Sequence, residues 1–542
     1  MKKILLGIAV IFAAIGCQPE GESPNISDQN IVISTDTQAL NARISLDGAG
    51  VVDVIDPAFV NNRILEAPAG KLPLMLVSQV EPPTYDGKIL KATHIDLEGE
   101  FAYVSYNKEG PGFYGAIEIY NIANPLKPQI TAQAIFKTAD INSLSYKAGI
   151  LYIAAAYDID RDNSVSTAAQ FLAVNVSGGN FTSEFRKSNI EGYAATDVTN
   201  TDTHTAVASG ANGLIGLFNS SMQLETELSI PDLRAAKYGN NLLAALSGRE
   251  GIYLLNPQTL NSIGRIAIPE DIPESKRTMD MGNELLFVSE GLNGAGIYRL
   301  PSGDLVEKIE IPINPEGVLS QDIVTNAVSY DQNLLLMANG GAGVSIADLN
   351  DLSNIEKLGI ISLSGSSNFV KIKKNHLFVA NGAGGLQILN LAKEEDAPTD
   401  NSISCEGTSK YTGNQNLNVN SNQSMAISGS NAFKNVNIGG DLVYCGSMSV
   451  ENSLNLNSGG LFEMNGSFAF GQYRKNNTLS INSGAVFRVH GSVVFYGDLN
   501  LNSGATIEFV GEGNSITIYG EVRKGNNVTI TGNFNDTEGK LN

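Results

Sequence analysis

The chain has 542 residues, which is enough for about two to four domains. Only 17% of the residues are charged, 56 are glycine and none is tryptophan, a composition typical of a turn-rich β protein rather than a helical one. The formal net charge of −21 disfavours a polyanionic partner, and no basic stripe offsets it, so nucleic acid is not an expected partner.

The first 17 residues are interpreted as a targeting segment and not as part of the fold. Two lysines precede an apolar run, residues 4–15, that is too short to span a bilayer. The following AIGC resembles the lipobox of bacterial lipoproteins, with Ala14 where leucine is usual. The resemblance implies that Cys17 is acylated and anchors the protein to the outer membrane or cell surface. An ordinary secretory peptide is the alternative.

Residues 18–70 are predicted to be a tether followed by a β segment of unknown position. QPEGESPNISDQN, which begins at residue 18, is polar and contains Pro and Gly, as flexible tethers do. Glu20 and Glu22 resemble the acidic export signal of Bacteroidetes surface lipoproteins. Residues 31–70 have some β character, but the sequence does not show where they pack.

Residues 71–395 contain a unit that is repeated seven times. Each copy has an apolar strand, a Gly- or Asn-rich loop and a second apolar strand, as in LLAALSGREGIYLLN from Leu242. The copies are 46 residues apart on average, and most follow a further strand. Four strands at this spacing are typical of a β-propeller blade, whereas a sandwich would have irregular spacing. We therefore predict an all-β fold that begins with a seven-bladed propeller.

FAYV and GAIEIYNIANPLKP in the first unit, and LFVANGAGGLQILNL in the seventh, resemble the repeats of the LVIVD-repeat propellers. The resemblance covers about residues 71–393 and implies a propeller in a secreted or surface lipoprotein. That family has no established common reaction, so the resemblance implies no catalytic residue.

The seventh unit is incomplete. It stops at Lys393 after its third strand, which would leave an unpaired sheet edge. The segment KLPLMLVSQV, residues 71–80, precedes the first unit and has no partner there. We therefore predict that it forms the outer strand of blade seven and closes the ring.

Two of the loops between second and third strands are long, residues 105–116 and 155–169. Long loops on a rigid ring commonly carry binding residues. The first contains Tyr106 and Tyr114, and His94 opens the inner strand of the same blade, facing the central channel. These three residues are the candidate ligand-binding residues of the rim.

Asp158, Asp160 and Asp162 stand at alternate positions in the second long loop. This spacing resembles the start of a calcium loop, in which oxygen ligands surround the cation. The glycine and glutamate that complete the EF-hand pattern are missing. A calcium site and a solvated acidic turn both stay open, and no other cofactor is predicted.

Residues 396–542 contain a second repeat, in three copies: LNLNSGGLFEMNG, LSINSGAVFRVHG and LNLNSGATIEFVG. Alignment at the glycines gives an apolar column and a charged column, the alternation of a strand. The apolar column contains Phe462, Phe487 and Ile507. The charged column contains Glu463, Arg488 and Glu508. The glycines, including Gly466 and Gly491, are expected at corners between strands. These features predict a β-solenoid, with a small β-sandwich as the alternative.

Cys405 and Cys445 remain if Cys17 carries the lipid. Two cysteines in an oxidising compartment are expected to form a disulfide, and two buried thiols are the alternative.

Three functions are compatible with these features. The favoured one is a membrane-anchored binding, adhesion or assembly module that acts through the propeller face on a protein or glycan ligand. The others are a propeller enzyme that acts on polysaccharide or peptide, and a structural envelope scaffold. No nucleophile, phosphate-loop or dinucleotide motif is present and the four histidines are scattered, which argues against the enzyme. Glycosidase carboxylates need not be close in sequence, however.

Overall fold

The computed structural model describes residues 29–55, 67–268, 276–311, 315, 317–392 and 402–541. The predicted acylation site, Cys17, lies outside the described residues. The described chain is almost entirely β, with seven antiparallel sheets followed by one large parallel sheet. No helix within these ranges is long and apolar enough to cross a membrane.

The seven antiparallel sheets are the blades of the predicted propeller. In each blade the strands run from an inner strand at the channel to an outer strand at the periphery. The strands of blade one are Lys88–Glu98, Phe101–Lys108, Gly115–Asn121 and Gln129–Phe136. Those of blade two are Ala139–Lys147, Ile150–Tyr157, Ala169–Ser177 and Arg186–Asn189. Those of blade three are Ala195–Asn200, Thr205–Ser209, Leu214–Phe218 and Leu224–Ser229.

The next three blades have the same order of strands. The strands of blade four are Leu233–Gly239, Leu242–Ser247, Gly251–Leu255 and Ser262–Ile266. Those of blade five are Met279–Gly282, Leu285–Ser289, Ala295–Arg299 and Leu305–Ile309. Those of blade six are Ala327–Asp331, Leu334–Ala338, Val344–Asp348 and Glu356–Ile361.

The middle strands are mostly apolar because both of their faces are covered. Blades pack face to face, so Leu214–Phe218 and Leu285–Ser289 are buried at every position. Phe171 of blade two and Phe218 of blade three illustrate the contact, with ring centroids 4.8 Å apart. The outer strand Leu224–Ser229 is exposed or half-exposed at every position. The core of the propeller therefore lies between the blades.

Blade seven is completed by a strand from the other end of the chain. Its first three strands are Phe369–Lys373, His376–Ala380 and Leu386–Leu391. Its outer strand is Leu74–Val80, which runs antiparallel to the third strand with Leu74 opposite Leu391 and Val80 opposite Leu386. The prediction that residues 71–80 close the ring is confirmed.

The residues that the sequence left unplaced form short strands on three blades. Ile31–Ser34 pairs with the outer strand of blade one, and Val54–Ile55 pairs with that of blade six. Ile44–Ser45 and Gly50–Val51 both pair with the closing strand of blade seven. A short helix, Thr37–Asn41, lies between Ile31–Ser34 and Ile44–Ser45 in the chain. This N-terminal segment, residues 29–55, therefore covers the outer edges of blades on both sides of the closure.

Arg43 fastens the N-terminal segment to blade one through a buried network. Its guanidinium contacts Glu118, whose side chain is completely buried. The same carboxylate accepts hydrogen bonds from Gln133 Nε2 at 2.7 Å and from the hydroxyl of Tyr120 at 2.5 Å. The hydroxyls of Tyr120 and Tyr106 are 2.6 Å apart. Burial works against the charge on Arg43, but Glu118 raises the pKa of this guanidinium above its ordinary value.

The C-terminal sheet is parallel and in register, so the predicted solenoid is confirmed and the sandwich is not formed. Each strand pairs in parallel with the corresponding strand of the next rung, as Asp441–Leu456 does with Leu461–Phe470. The longer strands are Ser424–Ile438, Asp441–Leu456, Leu461–Phe470 and Val486–Phe495. The shorter ones include Asn416–Val419, Thr478–Ile481, Asp498–Leu501, Thr506–Phe509, Ser515–Ile518, Val522–Lys524 and Thr529–Thr531.

Both predicted columns of the solenoid are present. Phe462 stands opposite Phe487, and Phe487 stands opposite Ile507. Arg488 lies between Glu463 and Glu508 on the outer face, and its Nε donates to Glu508 at 2.8 Å. Apolar side chains point inward and charged ones outward, as the alternation predicts.

The glycines of the repeat do not all lie at corners, which corrects one expectation. Gly466 lies within the strand Leu461–Phe470, and Gly491 lies within Val486–Phe495. Both have strongly positive φ angles, of 134° and 128°. Gly446 precedes Gly466 in the same column, and a Cβ on Gly466 would lie only 2.0 Å from its carbonyl oxygen. The glycines form a column because the rungs approach each other too closely there for a side chain.

We expect Gly466→Ala to lower the free energy of unfolding of the solenoid by about 2–4 kcal/mol. The added methyl group would strain the backbone and overlap with Gly446 in the preceding rung. The matched control is Gly459→Ala, where φ is also positive (76°) but no atom lies within 4 Å of the added Cβ. The control should cost about 1–2 kcal/mol. Urea unfolding of the two variants measures the difference, and equal losses would show that the close approach does not matter.

A disulfide joins Cys405 to Cys445 in the structure, with the two Cα atoms 6.0 Å apart. Asn465 Nδ2 on the neighbouring strand donates to the carbonyl oxygen of Ile403 at 2.9 Å. The first described residues after the propeller are thus held against the second long strand of the solenoid.

The N-terminal segment also joins the propeller to the solenoid. The backbone N–H of Val51 donates to the carbonyl oxygen of Gly471 at 2.9 Å. Gly70 and Ala432 exchange two backbone hydrogen bonds, of 3.0 and 2.8 Å. Because Val51 also pairs with Met75 of the closing strand, and Gly70 lies just before that strand, these main-chain bonds attach the solenoid directly to blade seven.

Candidate binding face of the propeller

The two faces of the propeller differ in the loops that they carry. We call the upper face the side with the loops between second and third strands, and with the connections from each outer strand to the next blade. The lower face carries the hairpins between inner and second strands. The long upper loops are residues 109–114 and 158–168, shorter than predicted because the flanking strands extend to Lys108 and Tyr157.

The central channel contains a small polar cavity of about 110 Å³. Its titratable lining residues come from the inner strands of five blades, and they are His94, Asp96, Asp197, Lys237, Asp280 and Lys371. A cavity of this size has room for roughly three or four water molecules. Sites for small organic ligands usually measure about 300–1,000 Å³. The channel is therefore too narrow to be an ordinary small-molecule site.

The channel charges join neighbouring blades. Lys237 of blade four pairs with Asp280 of blade five at 2.7 Å. Lys371 of blade seven pairs with Asp96 of blade one at 3.2 Å, which bridges the closure of the ring. The other oxygen of Asp96 accepts the backbone N–H of Tyr146 in blade two at 2.7 Å. These groups are therefore already used in holding the inner strands together.

Asp197 of blade three has the same role toward blades two and four. It accepts hydrogen bonds from Ser143 Oγ at 2.5 Å and from the backbone N–H of Ala236 at 3.0 Å. Burial raises the pKa of this carboxyl group, although both hydrogen bonds oppose the change.

Lys276 and His94 occupy the upper end of the channel. The ammonium group of Lys276 reaches across from blade five and donates to the carbonyl oxygens of Thr93 and Asn142, at 3.0 and 2.9 Å. Burial lowers the pKa of Lys276 to about 8. His94 packs on Phe369 with ring centroids 4.0 Å apart, and burial together with nearby lysines lowers its pKa well below the ordinary value. His94 is thus a buried channel residue rather than an open rim residue.

Tyr106 was predicted to be a ligand-binding residue of the rim, and this is wrong. Its side chain is fully buried. Its hydroxyl belongs to the network of Tyr120 and Glu118, and burial raises its pKa well above the ordinary value. The strand Phe101–Lys108 continues past this position, which turns the side chain into the core.

Tyr114 is the one predicted rim residue that the structure places on the upper face with part of its surface open. Lys88 Nζ lies 4.3 Å from the centre of its ring, and Arg161 Nη2 is 3.3 Å from its hydroxyl. These hydrogen-bond donors, Arg161 first, lower the pKa of Tyr114. Its backbone N–H donates to Asp140 at 3.1 Å, and burial raises the pKa of Asp140 to about 7. The two long loops are thus joined through an aromatic ring and cations.

The three aspartates of the second loop do not converge. Asp162 is buried and accepts hydrogen bonds from Thr138 Oγ1 at 2.8 Å and from the backbone N–H of Ser164 at 3.0 Å. Asp158 accepts the backbone N–H of Asp160 at 3.2 Å. In the described ranges no group of three His, Cys, Asp or Glu side chains is arranged to hold a metal ion. Calcium binding stays a prediction.

The described chain begins on the upper face, next to these loops. Lys137 Nζ donates to the carbonyl oxygen of Gln29 and its backbone N–H to that of Asn30, both at 2.9 Å. Arg161 Nη2 in turn donates to the carbonyl oxygen of Lys137 at 3.3 Å. The N-terminal tether therefore leaves the propeller beside the two long loops.

Among the residues that line the channel, only His94 was predicted from the sequence. A signal for the others does exist, because Asp96, Lys237, Asp280 and Lys371 each stand three residues before the first residue of a hairpin. Residues at equivalent positions of a propeller repeat face the same part of the channel.

No known protein family matches the chain, and no curated protein matches it. Among solved structures it is similar to the WD40 propeller domain of Doa1, with 11% identity, a TM-score of 0.42, and coverage of 60% of this chain and 97% of that one. It is also similar to a catalytically inactive virginiamycin B lyase from Staphylococcus aureus with quinupristin, with 15% identity, a TM-score of 0.43, and coverage of 59% and 99%. The WD40 domain of Neurospora crassa Pan2 gives 10% identity, a TM-score of 0.42, and coverage of 59% and 96%. At such identities the likeness concerns the fold alone.

Proposed function

We propose that this protein is a lipid-anchored envelope protein of the outer membrane or cell surface, and that it acts as a binding module through the upper face of its propeller. The observation that carries the proposal is the position of Gln29 and Asn30, which Lys137 holds on the same face as the two long loops. An anchor attached to Cys17 would therefore act close to the loops that are best suited to bind a partner.

Two sequence features support the placement in the envelope. The AIGC ending at Cys17 resembles a lipobox, and the first and seventh units resemble the repeats of the LVIVD-repeat propellers, which are secreted or surface lipoproteins. The disulfide between Cys405 and Cys445 suits the same oxidising environment.

The channel geometry favours binding over catalysis. An enzyme that hydrolyses polysaccharide needs two carboxyl groups free to act on the substrate. Asp96 and Asp280 are instead ion-paired with lysines, and Asp197 is held by Ser143 and a backbone N–H. On the upper face, by contrast, Tyr114 offers a half-exposed ring between two cations, which is a typical recognition feature.

A scaffold role is the second candidate, and the junction between the domains favours it. Backbone hydrogen bonds such as Val51 to Gly471 attach the solenoid directly to blade seven. A rigid connection of this kind would hold the solenoid at a fixed distance from whatever the propeller contacts.

We expect Cys17→Ser to release the protein from the membrane fraction of its host cells, because no acyl chain could then be attached. Fractionation followed by immunodetection measures the change, and mass analysis of the N-terminal peptide reports the acyl group. The double variant Cys405→Ser, Cys445→Ser is the matched control, since it removes the other cysteines and should stay with the membrane. If Cys17→Ser fractionates like the wild type, the proposed anchor is wrong.

A further inference from the structure

We propose that the upper face of the propeller rests on the surface of the lipid bilayer, with its exposed apolar side chains in the interfacial layer. This inference rests on the proposed lipid anchor and goes beyond it, because it names the bilayer itself as what the upper face binds and gives the propeller an orientation.

The upper face carries a set of large apolar side chains that are roughly half or more exposed. They lie in four upper loops and connections and at the start of the first inner strand, and so are spread over blades one, two, three, five and six. They are Ile89, Ile159, Tyr193, Leu292 and Leu319, with exposures from 48% to 71%. These residues are scattered singly and form no contiguous patch, but together they give the upper face exposed apolar points on five blades.

The length and position of the tether bring this face to the membrane. From Cys17 to Gln29 the chain makes 12 steps, which span at most about 40 Å when fully extended. An average flexible chain of that length spans about 20 Å. Since Gln29 is held at the upper face by Lys137, an acylated Cys17 keeps this face within reach of the bilayer at all times.

The residues around the tether suit lipid headgroups. Lys137 and Arg161 lie beside Gln29, where the tether begins, and Tyr114 lies between Arg161 and Lys88. Lys88 is also paired with Asp86 at 3.1 Å and Arg161 with Asp158 at 3.8 Å, so the propeller itself neutralises part of this charge. Lysine and arginine bind headgroup phosphates, and tyrosine is enriched at the boundary between apolar and polar layers.

The other side of the ring is partly occupied by the solenoid. Lys127 lies in the lower loop of blade one and pairs with Glu538 of the solenoid at 3.0 Å. Among the described residues, the solenoid makes its contacts on the lower side and the periphery, so the upper face is left open to a flat partner.

The absence of tryptophan from the chain allows a direct test. Single variants Ile159→Trp and Leu292→Trp place a reporter on the upper face. Ile263→Trp is the matched control, because Ile263 is equally exposed but lies near the lower end of an outer strand. Each full-length acylated protein is reconstituted in vesicles of phosphatidylcholine with brominated acyl chains, which carry no net charge that could repel the acidic protein. We expect at least twofold stronger quenching at positions 159 and 292 than at 263, and equal quenching would overturn the inference.

A second measurement separates contact from mere proximity. In the Leu292→Trp background, Ile89→Ser, Ile159→Ser and Leu319→Ser together should lower the quenching by at least half. The same replacements at Leu224, Ile263 and Leu305, which are exposed on outer strands, should leave it unchanged. If both triple variants behave alike, the upper apolar residues do not hold the face on the bilayer.

The two proposals fail in different ways. Absence of an acyl group on Cys17 would overturn the proposed function. An acylated, membrane-bound protein whose upper-face tryptophans are not quenched would retain the anchor and overturn only the orientation. That second result would mean that the upper face does not contact the bilayer and is open to a soluble ligand.

Discussion

Arg43→Met is expected to lower the free energy of unfolding by about 3–5 kcal/mol, because it leaves the buried carboxylate of Glu118 without its cation. Methionine keeps most of the volume and the apolar stem of arginine, so the loss reports the charge rather than a cavity. Calorimetric melting measures the overall change. Hydrogen exchange at residues 31–55 should show that the N-terminal segment opens first.

Two further variants make this prediction specific. Arg474→Met removes another arginine that is paired across the N-terminal segment, here from the solenoid to Asp47. Both partners are largely exposed, so the variant should cost less than about 1 kcal/mol. Glu118→Gln in the Arg43→Met background removes the stranded charge and should recover part of the loss. Equal losses for the two arginines, or no recovery with glutamine, would contradict the role assigned to this network.

Phe487→Ala is expected to lower the free energy of unfolding of the solenoid by about 3–5 kcal/mol, because it opens a cavity between rungs. The Phe487 ring is buried and stacks on Phe462 with centroids 5.0 Å apart. It also contacts the edge of Phe468, at 6.1 Å between centroids. Since each rung buries its apolar residues only against its neighbours, the loss should spread to the adjacent rungs. Hydrogen exchange of residues 461–509 measures it.

The neighbouring residue supplies the control. Arg488→Glu places three acids in one outer column and removes two ion pairs, but these are partly exposed, so the cost should stay near or below about 1 kcal/mol and increase at low salt. A cost as large as that of Phe487→Ala would mean that the outer column is more important than the inner one, contrary to the pairing of the strands.

Parts of the fold could be predicted because repetition makes weak local signals strong. One strand–loop–strand unit is ambiguous, but seven units at similar spacing favour a ring. Counting the strands of each unit then shows that the seventh lacks its outer strand. The segment 71–80 could therefore be assigned to blade seven before its pairing with Leu386–Leu391 was known. The strands of the N-terminal segment, such as Val54–Ile55, are too short to show periodicity. Only their pairing with distant outer strands defines them.

The candidate site was less predictable. The sequence placed Tyr106 and Tyr114 in one loop, but a strand that extends to Lys108 buries the first and leaves the second on the upper face. A shift of one residue along a strand moves a side chain to the other face, so a small error in the strand end changes such an assignment completely. The three aspartates of the second loop likewise stand at alternate positions in the sequence. The turn nevertheless directs Asp162 toward Thr138 instead of toward Asp158 and Asp160.

The sequence by itself determined the two repeats, the closing strand and the in-register columns of the solenoid, because each of these follows from periodicity or from counting strands. Only the tertiary structure decided that Lys371 pairs with Asp96 across the closure, that Arg43 neutralises Glu118, and that Gln29 leaves the propeller on the upper face. These contacts join residues 75 to 275 positions apart in the chain, or depend on which side of the ring a segment ends. Such relations are set by the closure of the ring. A repeated position can mark a residue as facing the channel, but no local pattern shows which residue it pairs with.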